Sequence, residues 1–261
     1  MTLVSLAGGF LVVLLISSFA SMVGIGGGFF YVPLLLVLGL SFYEASTISL
    51  FIIAVGSLSA ATKYHQQRRV DWRLLLLIEP LTLGMAFLAG FVADRIDASS
   101  LKIIFAVALI LSSLLILRSI EEGEPEESGR AQNRWKWNSP RIVLMMPVTA
   151  LAGGVSGLIG IAGGVFKVPA MVLLGKVPMH TAIGTSAPMI TLTTTSGMLG
   201  HLTATRYEFE IGVAILLGIA AVIGGQIGPR LSTRMKGIAL RRLFAVILLP
   251  IATWMIVSAM A

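Results

Sequence analysis

Of 261 residues, 56% are hydrophobic and only 12% are charged, with a mean hydropathy of +0.94. A water-soluble domain carries about 25% charged residues, so a chain this apolar reads as an all-α integral membrane protein. Cysteine is absent, which excludes disulfides, thiol chemistry and cysteine metal sites. The net charge of +7 is assigned to membrane topology rather than to nucleic acid.

In chain order, apolar runs of spanning length are predicted at roughly 3–23, 44–66, 73–93, 99–118, 141–159, 179–203, 208–230 and 239–260. The first is read as a retained span rather than a cleaved signal peptide. It lacks a basic start, its apolar run is too long, and more spans follow. Two further runs, about 29–39 and 165–175, are short. A helix of about 11 residues rises ~16 Å, half the hydrocarbon thickness. The segment "SIEEGEPEESGRAQNRWKWNSP" at 119–140 is acidic and then basic, and reads as a solvated linker. The expected division is 1–118, a cytoplasmic linker at 119–140, and 141–261.

Each short run is preceded by a glycine cluster. "GIGGGFFYVP" (Gly24 to Pro33) returns as "GIAGGVFKVP" (Gly160 to Pro169) at an offset of 136 residues. The same offset sets Ala20-Ser21 against Ser156-Gly157, Gly39 against Gly175, Glu44 against His180 and His65 against His201. An ordered series of this kind argues for an internal repeat. Charge sets its sense. Lys63, Arg68, Arg69 and Arg73 fill one loop of the first half, where the second half has Arg206 alone. The next loop reverses this, with Arg95 and Lys102 against Arg230, Arg234, Lys236, Arg241 and Arg242. If basic loops are cytoplasmic, the halves face opposite ways. Each half then needs an odd number of crossings. The expectation is about ten transmembrane segments, eight full spans plus two short broken helices, in two inverted five-segment repeats with both termini periplasmic. Re-entrant short helices in parallel repeats rank second, because they put the two comparable basic loops on opposite sides.

Extended backbone cannot face lipid and must be buried or line a wet cavity. A helix starting after a glycine turn presents N–H groups and about half a positive charge, an anion site. Candidate binding residues are therefore Gly24, Gly26, Gly27, Gly28, Gly160, Gly163 and Gly164, with Pro33 and Pro169 as structural parts of the motif. The alternative for the glycines is close helix packing. Lys167 adds a full charge at membrane depth, unless its stem snorkels to an interface. Thr185, Ser186 and Ser49, the last matched with one residue of slack, are expected to donate to oxyanions or to bond their own helices. "TLTTTSG" (Thr191 to Gly197) is placed along the same path. Glu79, beside Pro80, is read as a proton-coupling acid or a cation's partner. His65 and His201, which can titrate near neutrality, are further candidate coupling residues; the alternative is interface placement near span ends, and Glu44 and His180 are read as loop-end residues. No cofactor or metal is expected.

The two glycine motifs, each followed by a serine- and threonine-bearing helix and separated by an acidic linker, resemble those of the TauE/SafE family over nearly the whole chain. The family motif falls on Gly24, Gly26, Gly27, Gly28 and Pro33, and on Gly160, Gly163, Gly164, Lys167 and Pro169. Ala162 stands where the first copy has a glycine, which favours one dominant anion site. The resemblance implies a secondary transporter of sulfite or organosulfonates such as sulfoacetate, commonly exporting them across the bacterial inner membrane. An uptake permease and a passive anion channel are the alternatives. A membrane-embedded enzyme is remote, since no H-E-x-x-H, no G-x-S-x-G and no intramembrane acid pair is found. Expected partners are a small anionic substrate, the lipid bilayer and, on glycine-rich helix faces, a second copy in a homodimer.

Overall fold

A computed structural model describes residues 3–97, 140–204 and 210–232, with single positions at 100, 103, 107, 110, 114, 234, 239, 246 and 253. The chain order is α1 (Leu3–Val23), α2 (Gly28–Val37), α3 (Phe42–Gln66) and α4 (Trp72–Val92), which runs into a 3-10 turn, Ala93–Arg95. Then come α5 (Pro140–Ile159), α6 (Gly164–Pro169) continuing as a π turn (Ala170–Leu174), α7 (Met179–Ala204) and α8 (Ile211–Ser232). All but isolated positions of the predicted spans 99–118 and 239–260 lie outside the described residues, as does the linker up to residue 139, together with Lys102, Arg206, Lys236, Arg241 and Arg242.

Local chemistry sets the helix starts. Ser41 caps α3 in a capping box: its backbone N–H donates to Glu44 Oε2 at 2.8 Å, and its hydroxyl accepts from the Glu44 N–H. Glu44 is therefore a capping residue. Asp71 caps α4, accepting from the N–H groups of Arg73 and Leu74 at 3.1 Å each. Helix α2 stops at Gly39, whose φ of 94° allows Leu40 N–H to reach Leu35 O at 3.1 Å. After α6 the left-handed residue is Lys176 (φ 53°) and not Gly175.

That shift has a cause. A π turn holds one residue more than an α turn, and here Gly175 N–H bonds Ala170 O, five residues back. The offset between matching positions therefore grows from 136 before the π turn to 137 after it. Ser49 is matched by Ser186 rather than Thr185, and His201 by Tyr64 rather than His65.

Helices α3 and α7 form the centre. α3 packs on α7 and α8; α7 packs on α3, α4 and α5; α1 lies on α8, and α4 on α5. α2 rests on α3, and α6 on α7 and α5. Among the described residues, α1, α3, α4 with its 3-10 turn, α5 and α8 are long and apolar enough to cross a membrane. α7 is long enough at 26 residues, yet it falls outside that set. Seven threonines, two serines and two histidines lower its hydropathy. It tolerates them because Thr185, Ser186, Thr193, Thr194 and His201 are buried against other helices, while Leu192, Leu199 and Leu202 form its exposed side. The outer helices instead expose leucine and isoleucine, including Leu11, Leu15, Leu88, Leu144, Leu151, Ile215 and Ile219.

The glycine-rich helix faces are used inside the chain. Gly153 and Gly157 of α5 meet the carbonyls of Thr82 and Ala86 on α4, and Gly224 and Gly228 of α8 meet those of Leu14 and Ser18 on α1. A Cβ at any of the four would come within 2.1 to 2.7 Å of that backbone. These are the small-residue helix contacts by which membrane helices approach closely.

Candidate functional site

The two glycine turns meet in the middle of the molecule. Ile25, Ile161 and Ala162 are fully buried. Gly24, Gly26 and Gly27 have φ of 79°, 79° and 81°, and Gly160 has φ 71°. Gly26 and Ala162, equivalent positions of the two motifs, face each other: a Cβ built on Gly26 would lie 2.2 Å from that of Ala162. Only one of the pair can carry a side chain, which accounts for the alanine in the second copy.

Non-helical carbonyls at this depth need donors. Ser186 of α7 donates to Gly24 O at 3.0 Å, and Ser49 of α3 donates to Gly160 O at 2.8 Å. Each central helix thus holds the turn of the opposite half. Ser156 donates to Ile161 O. Thr185 accepts from the backbone N–H of Asp71 at 2.9 Å, tying α7 to the start of α4. The hydroxyls expected to meet an oxyanion are engaged with backbone in this conformation. Ser46, buried against Gly160, has no hydrogen-bond partner for its hydroxyl.

Beside the second turn lies a buried ion pair. Lys167 is fully buried, so it does not snorkel. Its Nζ donates to Glu79 Oε1 at 2.8 Å and Oε2 at 3.0 Å, to Thr193 Oγ1, and to Met189 O at 3.4 Å. Thr193 in turn donates to Glu79 Oε1. α6, α4 and α7 supply one member each. The Lys167 Cε lies 3.4 Å from where a Cβ of Gly163 would stand, so the cation adjoins the turn.

The matching place beside the first turn is uncharged. Tyr31 replaces Lys167, and a pocket opens there, lined by Tyr31, Ser17, Ser21, Ser57, Gly24 and Gly26 among others. It is narrow and partly open to the outside, with little space wide enough for a water molecule.

The model of the family described as sulfite exporter TauE/SafE matches residues 9–255. The chain belongs to the TauE/SafE family. Among curated relatives, a probable membrane transporter protein of Methanocaldococcus jannaschii is 26% identical over 244 residues, covering 87% of this chain and 86% of the relative. One from Xylella fastidiosa is 26% identical over 246 residues, covering 90% and 88%, and one from Bacillus subtilis is 24% identical over 239, covering 85% and 87%. No solved structure matches. The protein is accordingly a multi-pass membrane transporter of the TauE/SafE family.

Within this family member the two histidines have different places. His65 is exposed at the end of α3, where Trp72 Nε1 donates to its Nδ1 at 3.2 Å. His201 is buried, with Nε2 2.6 Å from Gly157 O and Nδ1 3.1 Å from Thr47 Oγ1. A carbonyl only accepts, so Nε2 carries the proton. Tyr64 makes the matching contact, donating to Ser21 O at 2.8 Å. Among the described residues no group of three His, Cys, Asp or Glu could hold a metal. Sequence reasoning missed Asp71 and the serines of the Tyr31 pocket. Asp71 does carry a visible cue, an acidic residue just before an apolar run.

Proposed function

We propose that this transporter carries small sulfur oxyanions, sulfite or organosulfonates such as sulfoacetate, by secondary transport, in the exporting direction across the bacterial inner membrane. The observation that carries the reading is the pair of glycine turns that meet inside an apolar helix assembly, with a buried lysine beside one of them. Irregular backbone at such depth is the mark of a transport site. A cation there is costly unless it has work to do. Lys167 supplies the charge; Gly24, Gly26, Gly27, Gly28, Gly160, Gly163 and Gly164 form the walls of the path; Ser49, Thr185 and Ser186 shape those walls by holding backbone.

The two halves are read as inverted five-segment repeats with the linker cytoplasmic. The contact between equivalent positions Gly26 and Ala162, and the reciprocal Ser49 and Ser186 bonds, support a two-fold relation between them. A homodimer would have to use outward apolar faces, since the closest glycine faces are occupied within the chain.

The test is flux in proteoliposomes. Labelled sulfite and sulfoacetate should enter with saturation and support counterflow, and right-side-out against inside-out vesicles should report the direction. Flux that never saturates would make the protein a channel. Flux of neither anion would end the substrate assignment.

A further inference from the structure

We infer that Glu79 competes with the transported anion for Lys167, and that each anion bound is accompanied by the uptake of one proton by the Glu79 carboxylate. This rests on the anion-transport reading above and adds its coupling. An ammonium group has three N–H donors. Lys167 Nζ already faces four oxygens, two of them from Glu79 and the others from Thr193 and Met189. It has no donor to spare for a solute, and the side chains of the pair are 0% and 2% exposed. An incoming oxyanion must therefore take the place of a current acceptor. The Glu79 carboxylate is the fitting one to yield. It has the same charge and two oxygens in the same fork as a sulfonate or sulfite edge.

A carboxylate stripped of its cation in a dry interior is unstable as an anion and takes up a proton. Protonated, Glu79 keeps a hydrogen-bonding partner in Thr193, whose hydroxyl already meets it and can accept as well as donate. The exchange is balanced: one anion and one proton arrive, and the buried charge stays at zero. Proton and anion then travel in the same direction, so export runs down the anion's own gradient and is not driven by an inward proton gradient.

Among the described residues, the elements packed on α4 carry Lys167 of α6, Arg141 of α5, and His180 and His201 of α7, and His65 of α3 accepts from Trp72 at the exposed start of α4. α4 and its 3-10 turn add Asp71, Arg73, Asp94 and Arg95. Lys167 forms the ion pair with Glu79, and His201 is held by Gly157 and Thr47. A proton taken up on anion binding is therefore assigned to Glu79.

The experiment uses the whole protein in detergent at near-neutral pH, in dilute buffer with an indicator dye. The probes are methanesulfonate and isethionate, whose sulfonates do not titrate in this range; sulfite does, and would blur the count. Calorimetry measures binding and the dye measures protons. The expected result is close to one proton taken up per anion bound, and an apparent Kd that falls as the pH falls, approaching tenfold per unit. At pH values where Lys167 keeps its charge, Glu79→Gln should bind methanesulfonate more tightly, take up no proton, and lose accumulation driven by a pH gradient. Binding by the wild-type protein with no proton uptake overturns this inference and leaves the transport reading intact. Failure of these anions, sulfite and sulfoacetate to bind at all overturns both. The wild-type measurement decides the matter even if Glu79→Gln does not fold.

Discussion

Tyr31 stands three residues into α2, and Lys167 stands three residues into α6. Around Tyr31 there is a small, mostly apolar pocket with a few hydroxyl-bearing residues and no charged side chain in its lining. Around Lys167 the space is filled by Glu79 and Thr193, and the charge is neutralised where it is made. The turn before each helix has the same backbone problem and the same remedy, a serine from the opposite central helix. One architecture therefore carries two different fillings. The backbone devices are shared because both turns must bury polar peptide groups. The side chains are free to differ because one charge is enough to attract an anion, and a second would add another desolvation cost.

The largest effect is expected where the two turns touch. Gly26→Val places a branched side chain at φ 79° against Ala162, and should abolish recovery of folded, monodisperse protein by size exclusion in detergent. Ala162→Gly should fold normally. Gly26→Ala should be damaging alone and partly recovered by adding Ala162→Gly. If Gly26→Ala is tolerated alone, the two turns do not meet as described.

Next is the charged side. Lys167→Met leaves Glu79 buried without its cation, and should cost about 3–5 kcal/mol in unfolding free energy, by the measured cost of breaking buried pairs. It should also abolish anion flux. Adding Glu79→Leu should restore most of the stability and none of the flux. Flux returning in the double variant would take Lys167 out of the transport path.

The uncharged side should respond more gently. Tyr31→Phe removes one hydroxyl from the pocket, and should slow flux by roughly two- to tenfold, the size of one hydrogen bond, with the fold retained. Wild-type flux would place the pocket off the path and leave all function beside Lys167.

Smallest and most alike should be the two serines. Ser49→Ala and Ser186→Ala each leave a turn carbonyl without its donor, and should each lower stability by about 1 kcal/mol in thermal or denaturant unfolding. Clearly unequal losses would break the likeness of the two turns.

Much of this was legible along the chain. The short helices were expected at about 29–39 and 165–175 and occur at Gly28–Val37 and Gly164–Leu174, because glycine clusters and apolar run lengths are local signals. The same holds for α1, whose bounds match the predicted 3–23. Past Pro169 the positions of the two halves pair better at an offset of 137 than at the expected 136. A π turn inserts a residue without any composition signal, and His201, aligned with His65 along the chain, makes the contact that corresponds to that of Tyr64. Glu79 and Lys167 were each picked out as costly at membrane depth, but their pairing was not, since they lie 88 residues apart in the chain. Ser49 and Ser186 were picked out for an anion, and in this conformation they serve the backbone.

The amino-acid sequence alone determined that the chain lives in a bilayer, where its helices stop for glycine, and which family it resembles. Those properties follow from run length, composition and the conformational freedom of single residues, all of which act locally. Tertiary structure alone decided that Lys167 is closed by Glu79, that serines hold the turns of the opposite half, and that Gly26 must yield to Ala162. In a dry interior every polar group must find a partner through space. Which partner it finds depends on how distant helices are brought together.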